Sequence, residues 1–236
     1  PRLKNLFAAN GTEAAIFTHY FGASELAKME AGRIPVYCAD TDFESHRFQR
    51  GAEFAWSFAG SPNAVRQRLA EGIYNVSDAG VPIAQKFKNL LSKEEARAKL
   101  GLPQDERVIL VSGGGIGAGS VFNAAKSLAA LRGTRVAVIC GSNAKLFAQM
   151  KGYFRYKENV RIEGFVSNME DYYAAADAAV MKPGGLSASE ALCAGLPMLL
   201  IDPVPGQEEL NMAYLTSNGA AWPLPRPSRA AESVVA

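Results

Sequence analysis

Histidine is almost missing from this chain of 236 residues, which has only His19 and His46. Neither stands at ligand spacing from a cysteine, which argues against a zinc site of the usual imidazole–thiolate kind. Cysteine is scarce too. Cys38, Cys140 and Cys193 lie in or beside apolar runs, and an odd number without framework spacing reads as reduced packing thiols of a cytosolic protein. No apolar run approaches the roughly 20 residues that a bilayer-spanning helix needs. The opening PRLKNLFAAN has neither an initiator Met nor the apolar centre of a signal peptide. An excess of charge is also lacking: Lys and Arg number 25 against 23 Asp and Glu, a net +2. With no basic run, there is no electrostatic footprint for a nucleic acid. Both ends read as cut edges of something longer, the last stretch (223–236) as an irregular, proline-rich tail.

What the chain does have is alternation. Short apolar strands at 14–18, 34–39, 54–58 and 74–76 are separated by helical patterns. One of these, at 22–31, has Leu26, Met29 and Glu30 at helical spacing and closes at Gly32. Another follows Ser61-Pro62, an N-cap with proline at the first helical position. After the GVPI turn comes a linker, and then Ser92 with Glu95 as a capping box for a helix ending near Leu100. Further strands are expected at 108–111, 135–140, 160–163, 178–181 and 196–201, again separated by helices. Such alternation predicts an α/β fold with parallel sheets and right-handed crossovers. The expected division is 1–84, an incomplete first Rossmann-like half; 85–104, a linker and connecting helix; 105–222, a nearly complete second half; and the tail.

Two stretches concentrate chemistry in the second half. In SGGGIGAG (112–119) a strand runs through a glycine turn into a helix, a seat for an anion made of backbone N–H groups. The glycines at Gly115, Gly117 and Gly119 do not match the dinucleotide fingerprint, and no acidic residue follows about 20 positions on to read a ribose. Phosphate or pyrophosphate contact is therefore favoured over NAD, with a plain tight turn as the alternative. The second stretch, KPGGLSASEALCAGLPMLLIDPVPGQEELN (182–211), sets two turns and two helix N-termini at the ends of neighbouring strands, where open α/β sheets bind ligands. Glu190, read within the first turn of its helix, can pair a ribose diol or simply be solvated. Gln207 and Glu208 suit sugar hydroxyls or helix capping. In the first half, Asp40, Asp42 and His46 form a polar group at a strand end. This could do general-base work or belong to a plain surface loop.

Taken together, IFTHYF, IPVYCADTDFESH, DAGVPI, LVSGGGIGAG, RIEGFVSNMEDYYAAAD, KPGGLSASEALCAGLP and PVPGQEELN resemble the monogalactosyldiacylglycerol synthase and processive diacylglycerol glucosyltransferase family (glycosyltransferase family 28-like). More distantly they resemble the GlcNAc transferase acting on lipid-linked muropeptide. The resemblance implies a GT-B fold and an inverting transfer, free of metal and cofactor, from UDP-glucose or UDP-galactose to diacylglycerol. The protein would be cytoplasmic, touching the membrane surface and no nucleic acid. By resemblance, Gly114, Gly115 and Gly117 face the diphosphate and the backbone at Phe165 and Val166 holds the uracil. Lys182, Gly184 and Gly185 line the phosphate side, Glu190 holds the ribose, Ser189 belongs to the donor site, and Gln207 with Glu208 read the sugar. Asp42 and His46 lie at the acceptor side. The alternatives are another UDP-sugar enzyme of the same fold, such as a UDP-GlcNAc 2-epimerase, or a non-catalytic nucleotide-sugar-binding module. Two departures stand out. The family places Trp where this chain has Gln49. Its N-terminal glycine loop, with the usual base histidine, has no counterpart here.

Overall fold

The computed structural model describes residues 2–29, 33–49, 51–115, 117 and 120–235. The chain forms two compact units, 1–82 and 83–236.

The first unit comprises α1 (Arg2–Ala9), β1 (Ala15–Phe17), α2 (Ala23–Met29), β2 (Val36–Ala39), β3 (Trp56–Ala59), α3 (Pro62–Ala70) and β4 (Val76–Asp78). Its strands are parallel, in the order β1-β2-β3-β4. Ser61 starts α3, its Oγ accepting the Ala64 N–H at 3.1 Å. Val36, Cys38 and Phe54 form a core with Ala23 and Leu26 of α2. The opposite face of the sheet leaves Ile16, Trp56 and Phe58 exposed. Helix α1 had no counterpart in the sequence reading, and the expected stop at Gly32 lies outside the described residues.

The second unit has α4 (Lys93–Leu100), β5 (Arg107–Ser112), α5 (Val121–Leu128), β6 (Thr134–Ile139), α6 (Ala144–Tyr153), β7 (Val160–Glu163) and α7 (Met169–Ala175). These are followed by β8 (Ala178–Met181), α8 (Gly185–Cys193), β9 (Met198–Leu200), α9 (Gln207–Ser217), β10 (Ala221–Pro223) and α10 (Ala230–Val235). All its strands are parallel, in the order β10-β9-β8-β5-β6-β7. The chain builds outward from β5 to β7, then returns to build the other way from β8. The reversal opens a crevice between β5 and β8 at their carboxyl ends, the switch point of an open α/β sheet. Ile109, Val111, Val136, Val138 and Val180 are fully buried in the central strands, as a sheet covered on both faces requires.

Residues 85–104 include the expected connecting helix, α4. Ser92 and Glu95 form the reciprocal capping box at the start of α4. Arg97 is buried and reaches across to α7 and β8. Its Nε donates to Ala175 O at 3.0 Å and its guanidinium meets Asp177 at 2.6 Å. Burial opposes ionisation of Asp177, but Lys93, the Val108 N–H and Arg97 outweigh it and hold its carboxyl below the usual range. The tail is ordered, against expectation. Residues 227–229 make a 3-10 turn, and Ala230 and Leu224 join the core against α5. Ala231 N–H donates to Ser127 Oγ at 3.1 Å. The density of prolines there concealed a short helix that follows the last of them. Cys193 is exposed rather than packed, unlike Cys38 and Cys140.

The glycine loop shows close packing at one position. Gly117 has φ +59°, and a Cβ there would lie 1.9 Å from Cys140 O at the end of β6. Gly117→Ala is therefore expected to destabilise the second unit by at least about 1–3 kcal/mol, through a left-handed backbone and a clash. A urea midpoint equal to that of the parent chain would refute this packing.

Candidate functional site

The carboxyl ends of β5, β6 and β8 enclose a cleft of about 260 Å³, bordered by Gly114, Gly115, Phe165, Val166, Tyr173 and Glu190. Of three larger hollows, one of about 390 Å³ lies on the tail beside Leu224 and Arg229, away from the switch point; the others, of about 580 and 480 Å³, lie at the amino ends of strands, against Met198 and Trp222 in the second unit and against Val36 and Phe54 in the first. That is the wrong end for a switch-point ligand, so the smaller cleft is the candidate.

Its floor is the glycine loop, strapped to the turn after β6. Gly114 N–H donates to Ser112 Oγ at 3.2 Å and Gly117 N–H to Gly114 O at 2.9 Å. Gly115 O accepts from Ser142 N–H and Oγ at 2.8 and 3.0 Å. Gly114 and Gly115 thus border the cleft, while Gly117 is buried behind it. Ile116, Ala118 and Gly119 lie outside the described residues. At the start of α5, the Ser120 N–H donates to a carboxylate oxygen of Asp202, so this chain's own acid sits at the expected anion seat. Asp202 has φ +42°, a strained setting for a residue other than glycine.

The opposite wall is α8. Gly184 caps it and Gly185 is its first residue, so no capping side chain competes for the first-turn N–H groups. Glu190 stands in the second turn, not the first. It is half-buried. Burial raises its pKa, Lys86 partly offsets this, and Glu170 adds to it. Tyr173 beneath it is buried, with its hydroxyl 3.3 Å from Ser187 O. Burial and then the charge of Glu190 push the phenol upward. Ser189 Oγ is buried without a hydrogen-bond partner among the described atoms.

Helix α9 closes on the same turn. Lys182 Nζ meets Glu208 Oε2 at 3.0 Å, and that oxygen also accepts the Val204 N–H at 2.8 Å. The fully buried Asn211 donates to Pro183 O at 3.1 Å. Gln207, the first residue of α9, is half-buried. Glu208, expected to read hydroxyls, is here engaged with Lys182.

In the first unit, Asp42 and His46 border one small hollow at the end of β2. Asp40 does not act with them. It is buried against Arg68 at 2.8 Å and accepts from Gln49 at 3.2 Å and Ser45 at 3.4 Å. An Asp with a buried cation as partner is a core pair, which corrects the reading of Asp40 as part of a reactive trio.

Two units, each with a parallel sheet, and a ligand crevice at the switch point of the second define the GT-B class. The family model described as "Glycosyl transferases group 1" matches residues 92–234, more than half of the chain, and the chain belongs to that family. A processive diacylglycerol β-glucosyltransferase from Bacillus cytotoxicus is 29% identical over 225 residues, covering 93% of this chain and 58% of that protein. The chain thus spans a little over half the length of such relatives. In fold it is similar to MurG of Acinetobacter baumannii, with a TM-score of 0.67 at 17% identity over 98% of this chain and 67% of that one. It is also similar to MnaA of S. aureus in its UDP co-structure, with a TM-score of 0.67 at 12% identity over 99% and 68%. At these identities the likeness concerns fold.

Proposed function

We propose that this chain carries the donor site of a glycosyltransferase that moves a hexose from UDP-glucose or UDP-galactose to a diacylglycerol-type lipid, with inversion and without a metal or cofactor. One observation carries the reading: a half-buried carboxylate, Glu190, faces a glycine-loop backbone across the cleft at the switch point. A carboxylate can accept both hydroxyls of a ribose, and glycines let a diphosphate approach the main chain. The uracil would lie against the backbone at Phe165 and Val166. The sugar would lie toward Gln207 and Glu208. The relative named as a diacylglycerol glucosyltransferase supports the acceptor class, and the UDP co-structure supports the nucleotide.

Displacement at the anomeric carbon needs a base for the acceptor hydroxyl and stabilisation of the leaving UDP. The second need is met by Lys182 and the first-turn N–H groups of α8 at Gly184 and Gly185, dipoles and a cation fixed before the reaction. Glu208 holds the Lys182 ammonium at 3.0 Å. Asp42 and His46 would stand on the acceptor side. A lipid acceptor implies contact with the membrane surface, and none of the described helices is long and apolar enough to cross it.

Lys182→Met is expected to lower kcat on the order of 10²-fold, the cost of losing one preorganised charge at a developing anion, read by initial rates at saturating donor. The wider test incubates the protein with labelled UDP-glucose or UDP-galactose and diacylglycerol in vesicles containing anionic lipid. A labelled glycolipid from either donor supports the proposal, and none from both overturns it.

A further inference from the structure

His46 is held at three points. Its backbone N–H donates to Gln49 Oε1 at 2.9 Å. Its ring lies on Tyr20, with centroids 3.5 Å apart and planes 4° from parallel. Its Nδ1 accepts the Phe48 N–H at 3.2 Å. An imidazole nitrogen that accepts an N–H carries no proton, so the neutral ring holds its proton on Nε2. We infer that His46 serves as a fixed Nε2–H donor to a ligand oxygen and not as a general base, with Gln49 as its positioning residue.

To take a proton at Nε2, the ring must first carry its proton on Nδ1, and the resulting imidazolium keeps it there. Either state sets that N–H against the N–H of Phe48. The surroundings favour the neutral ring as well. Burial first, then Arg47, disfavour the charged form; Asp42 favours it, and His19 disfavours it; the net pKa is lowered. Gln49 ties this arrangement to the core. Its Oε1 holds the His46 backbone while its Nε2 donates to Asp40, the partner of Arg68. His19 repeats the device, its Nδ1 accepting the Phe21 N–H at 3.2 Å, and its ring stacks 4.2 Å from Tyr20. The hollow beside Tyr20 is therefore bordered by two imidazoles of the same tautomer. Such donors suit an oxygen with free lone pairs. On the reading proposed above, that oxygen belongs to the acceptor lipid, and the base that activates its hydroxyl is another group.

The chain's two histidines make the test direct. A ¹⁵N-labelled sample gives two imidazole spin systems in long-range ¹H–¹⁵N spectra, and His46→Gln assigns them. At neutral pH, both rings are expected to show a bare Nδ1 and a protonated Nε2. Phe48→Pro removes the donor N–H and should move His46 toward the other tautomer while His19 keeps its own. Gln49→Met should shift the His46 signals in the same direction. A His46 ring protonated mainly on Nδ1 in the parent chain overturns the inference, as does a ring indifferent to both substitutions. The parent spectrum decides even if a variant fails to fold. Because no turnover is read, failure of the lipid-transfer proposal would leave this result standing on its own.

Discussion

Arg68→Leu is expected to lower the stability of the first unit by about 3–5 kcal/mol and to leave that of the second unchanged. Breaking a buried ion pair strands the remaining charge, and that cost is far larger than the net worth of the pair. Arg68 and Asp40 have side chains 1% and 3% exposed at 2.8 Å separation, and the other side-chain partners of Asp40 are the weaker, uncharged contacts to Gln49, Ser45 and Cys38. Burial already raises the pKa of Asp40, while Arg68 and the hydrogen bonds pull it down. Without Arg68 the acid is raised further and folds more readily protonated. An acid whose folded pKa is raised adds stability at low pH and loses it as pH rises above the unfolded value near 4. The deficit of Arg68→Leu should therefore shrink on acidification. Leucine at both Arg68 and Asp40 should recover part of the loss, since an apolar pair strands nothing. The chain has two tryptophans, Trp56 in β3 and Trp222 in β10. Denaturation followed by Trp56 fluorescence in a Trp222→Phe background reports the first unit alone. A midpoint that does not move would show that Asp40 is not held as a buried anion.

Glu190→Gln is expected to act in the opposite direction on stability, raising the thermal midpoint of the second unit at neutral pH. The folded pKa of Glu190 is raised, chiefly by burial, so the folded state binds its proton more tightly than the unfolded chain does. Stability from this residue is thus present below the ordinary glutamate value and declines as pH rises through the raised one. Glutamine has no charge to bury, so its melting curve should be flatter between pH 4 and pH 8, to be checked by melts of both chains across that range. Keeping a carboxylate whose ionisation weakens the fold is characteristic of a functional site. A Glu190→Gln chain that melts lower than the parent at pH 8 would contradict this.

Much of the architecture could be read in advance because its signals are local. Ser61-Pro62 and the Ser92–Glu95 box specify helix starts within four residues, and the apolar strands stand out by run length. The cleft was partly legible for the same reason: glycine turns mark strand ends, and Gly114, Gly115 and Glu190 do meet across it. What stayed hidden depends on distant partners. Asp40 and Asp42 have the same spelling, and only Arg68, 28 residues on, turns one of them into the core. Asp202 reaches the start of α5 from 82 residues away, and Lys182 finds Glu208 across the β9 strand. Gln49 gains its meaning only from the His46 backbone on one side and Asp40 on the other. The helix α10 was missed because proline density resembles an irregular tail until the chain is seen to pack Ala230 against α5.

On the function proposed above, the cleft beside Glu190 holds the nucleotide of a UDP-sugar. Calorimetric titration of UDP into the parent chain and into Glu190→Ala tests it most directly. One saturable site is expected in the parent, weakened in the variant by about 1–3 kcal/mol, the cost of leaving buried polar groups without partners. Absence of UDP binding to the parent chain, or equal affinity in the two, would contradict it.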